Sequence, residues 1–267
     1  MYATKDSIVL FDMDGTLTEA RKPAQWDIVT ALKTLSKSAD IGIVTGSPMS
    51  YLEQQCAILW EEIGSVSVDS ISLFPCNGTQ HYEFDRPTTS WKEVYRTNMK
   101  TYMGLDNYRQ LVREIISLQA WYSDNNHDLP LTGNFISDRG SMINWCPVGR
   151  DASDNERLEF VNFDIANKTR AVLKEELAES LSNVGVEGVV CTLGGNTSLD
   201  IYPDGWDKTY VLRHLSGYKK IYFVGDKCEG HGNDRALYEA LTPGEESFKT
   251  DSPGTTINII SDLITRV

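Results

Sequence analysis

Three short apolar runs in the chain stop abruptly at polar turns: "SIVLF" before Asp12, "IGIV" before Thr45-Gly46-Ser47, and "KKIYFV" before Gly225-Asp226. The runs are continuous rather than alternating, which is the pattern of parallel strands covered by helices on both faces. Between the first two, Ile28, Ala31, Leu32 and Leu35 recur at helical spacing and predict a strand, helix, strand order. Ligands of such sheets bind beyond the carboxyl ends of the strands, so the three polar turns are expected at one crevice.

The middle of the chain has a different pattern. Leu111, Ile115, Leu118 and Tyr122 mark one amphipathic helix, and Leu173, Leu177 and Leu181 mark another. Each is followed by a pair of strand-like segments: "NFISD" and "MINWCPV" around Arg139-Gly140-Ser141, then "GVVCTL" and "SLDIYP" around Gly194-Gly195-Asn196. The polar loop "DASDNERLEF" is expected to carry a short helix. Ile257, Ile260 and Ile264 give the last segment one apolar face, as in a closing helix. The fold class is therefore α/β, a parallel-sheet core of residues 1–85 and 203–267, with an inserted α+β cap of residues 86–202 built from an antiparallel sheet and two helices.

Composition narrows the partners. A formal net charge of -13 over 267 residues repels phosphate polymers, which excludes a nucleic-acid or anionic-membrane surface but allows a small anionic substrate held by a few clustered arginines. The five cysteines form no Cys-x-x-Cys pair, so free thiols in a reducing compartment are expected and a zinc site is not. "MYATKDSIVLFD" has no apolar stretch suited to a secretory signal and no run is long enough to span a membrane, so the expected location is cytoplasmic.

Asp12 and Asp14 stand one residue apart at the exit of a strand, where repulsion between two carboxylates requires a compensating partner. One carboxylate can attack phosphorus and form an aspartyl phosphate, while the second acts as general acid and base. The alternative is a hairpin turn at Asp14-Gly15, although the flanking residues do not alternate as a hairpin requires. "GDKCEGHGND" places Asp226 and Asp234 after another buried strand, and acidic oxygens around a phosphoryl site suit Mg²⁺. A solvated acidic loop is the other reading. Gly46 and Ser47 can offer N–H and hydroxyl donors to phosphate, and Lys208 an ammonium. Taken singly, Gly-Ser is a common turn and a lysine is commonly a surface residue.

These residues, Asp12-Met13-Asp14-Gly15-Thr16, Gly46-Ser47, Lys208 and Gly225-Asp226 with Gly232-Asn233-Asp234, resemble the motifs of the haloacid-dehalogenase superfamily. Through "GNFISDRGSMINWCPVGR", "NERLEF" and "SLDIYPDGWDKTYVLRH" the chain further resembles the eukaryotic-type phosphomannomutases. The resemblance implies a haloacid-dehalogenase-like core, Asp12 as phosphorylated nucleophile and Asp14 as general acid/base. It implies Mg²⁺ on Asp12, the Asp14 backbone carbonyl and Asp226. Arg21, Arg139, Arg150 and Arg157 match the arginines that hold the substrate's non-transferring phosphate, and Ser198 and Asp200 match its remaining contacts. The implied activity interconverts mannose 6-phosphate and mannose 1-phosphate, feeding GDP-mannose synthesis, through a hexose 1,6-bisphosphate that also serves as activator. The implied assembly is a homodimer joined by the caps. A sugar-phosphate phosphatase of the same superfamily is the alternative. Thr45, Cys76 and His231 depart from the family pattern, standing where a glycine, a glutamate and a glycine are usual.

Overall fold

The run "SIVLF" forms β1 (Ser7–Phe11), buried along its whole length in the computed structural model, which describes residues 5–62 and 68–267. The first of two units continues through α1 (Trp26–Leu35), β2 (Asp40–Val44), α2 (Met49–Glu62), β3 (Ile71–Phe74), β4 (Gln80–Asp85) and β5 (Ser90–Arg96). The second unit then runs through α3 (Met99–Met103), α4 (Leu105–Asn125), β6 (Ile136–Asp138), β7 (Ile143–Trp145), α5 (Asp154–Asn167), α6 (Thr169–Asn183), β8 (Val189–Gly194) and β9 (Ser198–Pro203). The first is completed by β10 (Lys220–Gly225), α7 (Arg235–Ala240), β11 (Ser247–Lys249) and α8 (Pro253–Leu263).

The sheet of the first unit has the order β11-β10-β1-β2-β3-β4-β5, parallel as far as β3 and antiparallel from β3 to β5. Alternate side chains of β1 serve its two faces. Val9 and Phe11 join a core with Ile28, Leu32, Leu52 and Ile260, while Ile8 and Leu10 pack with Val211, Leu215 and Leu237. Burial on both sides is why the strand reads as an unbroken apolar run. Phe11 stands in register with Ile43 of β2 and Val224 of β10, so the three strands end at one level. The connections leave β1 in opposite directions along the sheet, toward β2 and β10, and Asp12 emerges at that switch point with its N–H donated to the Val224 carbonyl at 3.0 Å.

The second unit holds the antiparallel sheet β6-β7-β9-β8. Its core takes Leu111, Ile115 and Tyr122 from α4 and Leu173, Leu177 and Leu181 from α6, whereas Leu118 is only half-buried. Two features differ from the sequence reading. The boundary falls after Arg96 rather than near Arg86, because β5 pairs antiparallel with β4 and extends the core sheet. As an exposed edge strand carrying Lys92, Glu93 and Arg96, β5 lacks the apolar alternation that announces a strand. The expected short helix after Arg150 is the 14-residue α5, started by a capping box between Ser153 and Glu156. It buries few side chains, chiefly Phe160 and Asp164, and Asp164 pairs with Arg170 of α6 at 2.7 Å. With α3, which the sequence reading did not include, the unit has four helical segments among the described residues, against two helices and one short loop helix expected.

One buried histidine makes the stability of the first unit depend on pH. His81 of β4 stacks on Phe74 with ring centroids 4.7 Å apart and faces His214 at 5.4 Å; its Nε2 has no hydrogen-bond partner, and the nearest Glu83 oxygen is 3.6 Å away. Burial, and then the neighbouring His214, push its pKa down to about 4. The unfolded chain takes up this proton near pH 6.5, which the fold resists. The contribution is therefore complete above pH 6.5 and is lost as pH falls through 4, with an upper bound of about 3 kcal/mol. Thermal melts at pH 7 and pH 4.5 are expected to show a smaller acid-induced loss in His81→Gln than in the wild type, and parallel losses would reject the assignment.

Candidate active site

The loop after β1 is tied to itself before it meets any partner. The Met13 carbonyl accepts from the N–H groups of Leu17 at 2.9 Å and Thr18 at 3.0 Å, and the Thr18 hydroxyl lies 3.2 Å from Gln55 Oε1 of α2. Gly15 sits at φ +88°, and a Cβ there would stand 2.3 Å from Asp226 Oδ2. Only glycine allows the β1 and β10 loops to approach this closely.

At that junction lies a buried charge cluster. Lys208, fully buried, donates from Nζ to Asp12 Oδ1 and to Asp234 Oδ1. It opens a 3-10 segment, Lys208–His214, whose start is capped by Asp207, accepting from the Thr209 N–H at 2.8 Å. Oxygens of Asp12, Asp226 and Asp234 all lie within 4.8 Å of one another. Burial, then the Asp234 charge, raise the Asp12 pKa to about 8, and burial is the main cause that lifts Asp226 to about 6. Lys208 holds its proton more tightly than usual: burial alone would lower its pKa, and the two aspartates outweigh it.

Three carboxylates share one ammonium, so the cluster holds more acidic groups than Lys208 alone compensates. Asp226 Oδ1 is buried and has no hydrogen-bond partner, whereas the Asp234 oxygens are taken by Lys208 and by the Lys227 N–H at 3.0 Å. This donor set fits a hard divalent cation, with Asp226 and Asp12 supplying oxygens and Asp234 holding the lysine. Asp14 projects elsewhere in the loop, its Oδ1 accepting the Arg21 N–H at 2.9 Å. Ser47 follows β2, and its N–H is donated to Thr45 Oγ1 at 3.1 Å.

The second unit contains a separate cluster of arginines. Asn144 of β7 stands opposite Asp200 of β9, donates to its Oδ1 at 2.7 Å, and accepts from Arg150 Nη1. Arg139 Nη1 is 4.0 Å from the same Asp200 oxygen. Arg157 of α5 donates from Nη2 to Thr197 Oγ1 at 2.6 Å. Ser198 begins β9, its carbonyl accepting from Arg170 at 3.2 Å.

The structure thus gathers Asp12, Asp226, Asp234 and Lys208 in one place, and Arg139, Arg150 and Asp200 in another. Arg21, which the resemblance groups with the cap arginines, belongs to the first unit, where it is exposed at φ 64°. Sequence reasoning passed over Asn144 and Thr197. Both are buried polar residues, and the strand pairing of "MINW" with "SLDI" would have placed Asn144 against Asp200.

Residues 28–266 match the family model described as eukaryotic phosphomannomutase. The phosphomannomutase of Schizosaccharomyces pombe is 34% identical over 255 residues, which cover 94% of this chain and 91% of that protein. That of Arabidopsis thaliana is 32% identical over 251 residues, covering 94% and 93%. Among solved structures, an N-terminal truncated Plasmodium falciparum IMP-nucleotidase aligns with a TM-score of 0.66 at 12% identity, covering 97% of this chain and 70% of that one, a likeness of fold alone. The family match and the identity held over most of both chains lead to one conclusion: the chain belongs to the eukaryotic phosphomannomutase family.

Proposed function

We propose that this enzyme interconverts mannose 6-phosphate and mannose 1-phosphate by way of a phosphorylated Asp12. The observation that carries the reading is the presence of two anion-handling clusters, the Asp12–Lys208 group in the first unit and the arginine group in the second. A hydrolase acting on a monophosphate needs one phosphate seat, whereas a sugar bisphosphate needs two. In the forward step the P–O bond to Asp12 breaks as a sugar hydroxyl oxygen bonds to phosphorus, and Asp14 takes the hydroxyl proton. In the reverse step Asp12 attacks the other phosphate of the bisphosphate, and Asp14 returns the proton to the leaving oxygen. Lys208 neutralises charge on the transferring group, with Gly46 and Ser47 as further donors. Arg21, Arg139, Arg150, Arg157, Ser198 and Asp200 serve the phosphate that is not reacting, since guanidinium groups bind phosphate bidentately. Asp12, Asp226 and the Asp14 backbone carbonyl would hold Mg²⁺, which supplies charge neutralisation and polarises phosphoryl oxygens.

A cytoplasmic setting is supported by five free, buried cysteines. Among the described residues no helix is long and apolar enough to cross a membrane. Exposed Tyr102, Leu105, Ile116 and Trp121 on α3 and α4 support a dimer joined through the second unit, and light scattering of the purified chain distinguishes one copy from two.

Phosphorus NMR of the protein with mannose 1-phosphate, Mg²⁺ and a trace of hexose 1,6-bisphosphate tests the reaction. Mannose 6-phosphate is the expected product. Inorganic phosphate alone would instead mark a phosphatase.

A further inference from the structure

Thr197 sits in the turn between β8 and β9 and is 1% exposed. Valine has the same branched shape and would suit a buried position before a strand, so the hydroxyl is not needed for packing. Burying a hydroxyl without a partner is unfavourable, and Thr197 Oγ1 has two: it accepts from Arg157 Nη2 at 2.6 Å and faces Cys146 Sγ at 3.6 Å. The Cys146 thiol is also fully buried, next to the end of β7, and a hydroxyl oxygen has the two lone pairs that both donors require. Arg157 itself stands in the first turn of α5, half-buried. Its long side chain has rotamer freedom that is lost when an anion binds.

We propose that Thr197 is a positioning residue for the anion cluster of the second unit: its buried hydroxyl, held from behind by the Cys146 thiol, fixes one end of the Arg157 guanidinium before substrate arrives. The inference rests on the reading that Arg157 contacts a substrate phosphate, and assigns the residue that pre-organises it. The neighbouring arginine is anchored in the same manner by a different group, Asn144 on Arg150. Arg150 and Arg157 thus each meet a buried, uncharged side chain, Asn144 and Thr197 respectively, that orients one end of the guanidinium. A carboxylate in that place would compete with the phosphate.

The test is a double-mutant cycle of Thr197→Val and Arg157→Ala in the full chain. Two readouts are taken: steady-state kinetics with mannose 1-phosphate, and calorimetric binding of inorganic phosphate without metal. Thr197→Val is expected to raise KM about five- to tenfold and weaken phosphate binding by a similar factor, the worth of one charge-assisted hydrogen bond, with kcat changed less than KM. Thr197→Ser, which keeps the oxygen, is expected to restore both. In the Arg157→Ala background Thr197→Val should have no further effect, because its action runs through that side chain. A KM and a phosphate affinity within twofold of wild type, an undiminished effect in the Arg157→Ala background, or a defect that serine does not restore would each overturn the proposal. If Thr197→Val loses its cooperative melting transition, Thr197→Ala goes through the same cycle. Should the wild type bind phosphate yet release it from mannose 1-phosphate instead of isomerising it, the functional reading fails, and the phosphate affinities still decide the role of Thr197.

Discussion

Asp12→Asn is expected to lower kcat for hexose-phosphate interconversion by a factor on the order of 10⁴ or more while leaving the fold intact. The amide keeps the size of the side chain and an oxygen that accepts from Lys208, so the contact at the switch point survives. What it removes is the carboxylate proposed to attack phosphorus, which is also one of the three crowded carboxylates of the cluster. Burial and Asp234 already raise the Asp12 pKa to about 8, so its ionised form is held at a cost that the neutral amide does not carry. Thermal stability of the variant should consequently equal or exceed that of the wild type. Phosphorus NMR or a coupled assay measures turnover, and intact mass confirms that the asparagine has not deamidated. Activity above a tenth of wild type would remove Asp12 as nucleophile, and a large fall in melting temperature would mean that its charge is structural.

Residues became legible in the sequence to the degree that their surroundings imposed a pattern on the chain. Asp12 and Asp226 follow strands buried on both faces, and the end of a continuous apolar run marks where such a strand leaves the core. β4 and β5 left no comparable signal, since β5 is exposed along nearly all of its length, and the boundary of the inserted unit was misjudged by that hairpin. α5 was shortened for a related reason: its Ser153 and Glu156 announce the start, but Phe160 alone gives it an apolar anchor. The sequence offers Lys208 as an ammonium for phosphate, but its complete burial is not legible there, because nothing local distinguishes a fully buried lysine from a surface one. Its identity as the counter-charge of two aspartates, 196 and 26 residues away, is a property of tertiary structure. The same holds for Asn144 and Thr197. Their partners are set by strand register and by the approach of α5, which no spacing within a single segment encodes.

That dependence on a distant partner makes Lys208→Met the most informative change to the architecture of the site. Methionine fills much the same volume without charge, and it leaves Asp12 and Asp234 facing each other, both buried. Removing one partner of a buried ion pair costs about 3–5 kcal/mol, because the carboxylates that remain have lost their compensation. In a chain of this size that corresponds to a fall in melting temperature on the order of 10 °C. Deprived of the ammonium, Asp12 is pushed further above its ordinary pKa than it stands in the wild type. A carboxyl whose pKa is higher in the fold than in the unfolded chain contributes stability below the unfolded value and loses it as pH rises through the folded one. The deficit of Lys208→Met should therefore be small at pH 4 and grow toward pH 8, and denaturant melts across that range provide the measurement. If the acidic cluster holds Mg²⁺ as proposed, the cation should narrow the deficit at pH 7.5 by mass action. A deficit independent of pH would mean that the lysine stem, and not its charge, holds the segment in place; in that event the electrostatic account of Asp12 also loses its main support.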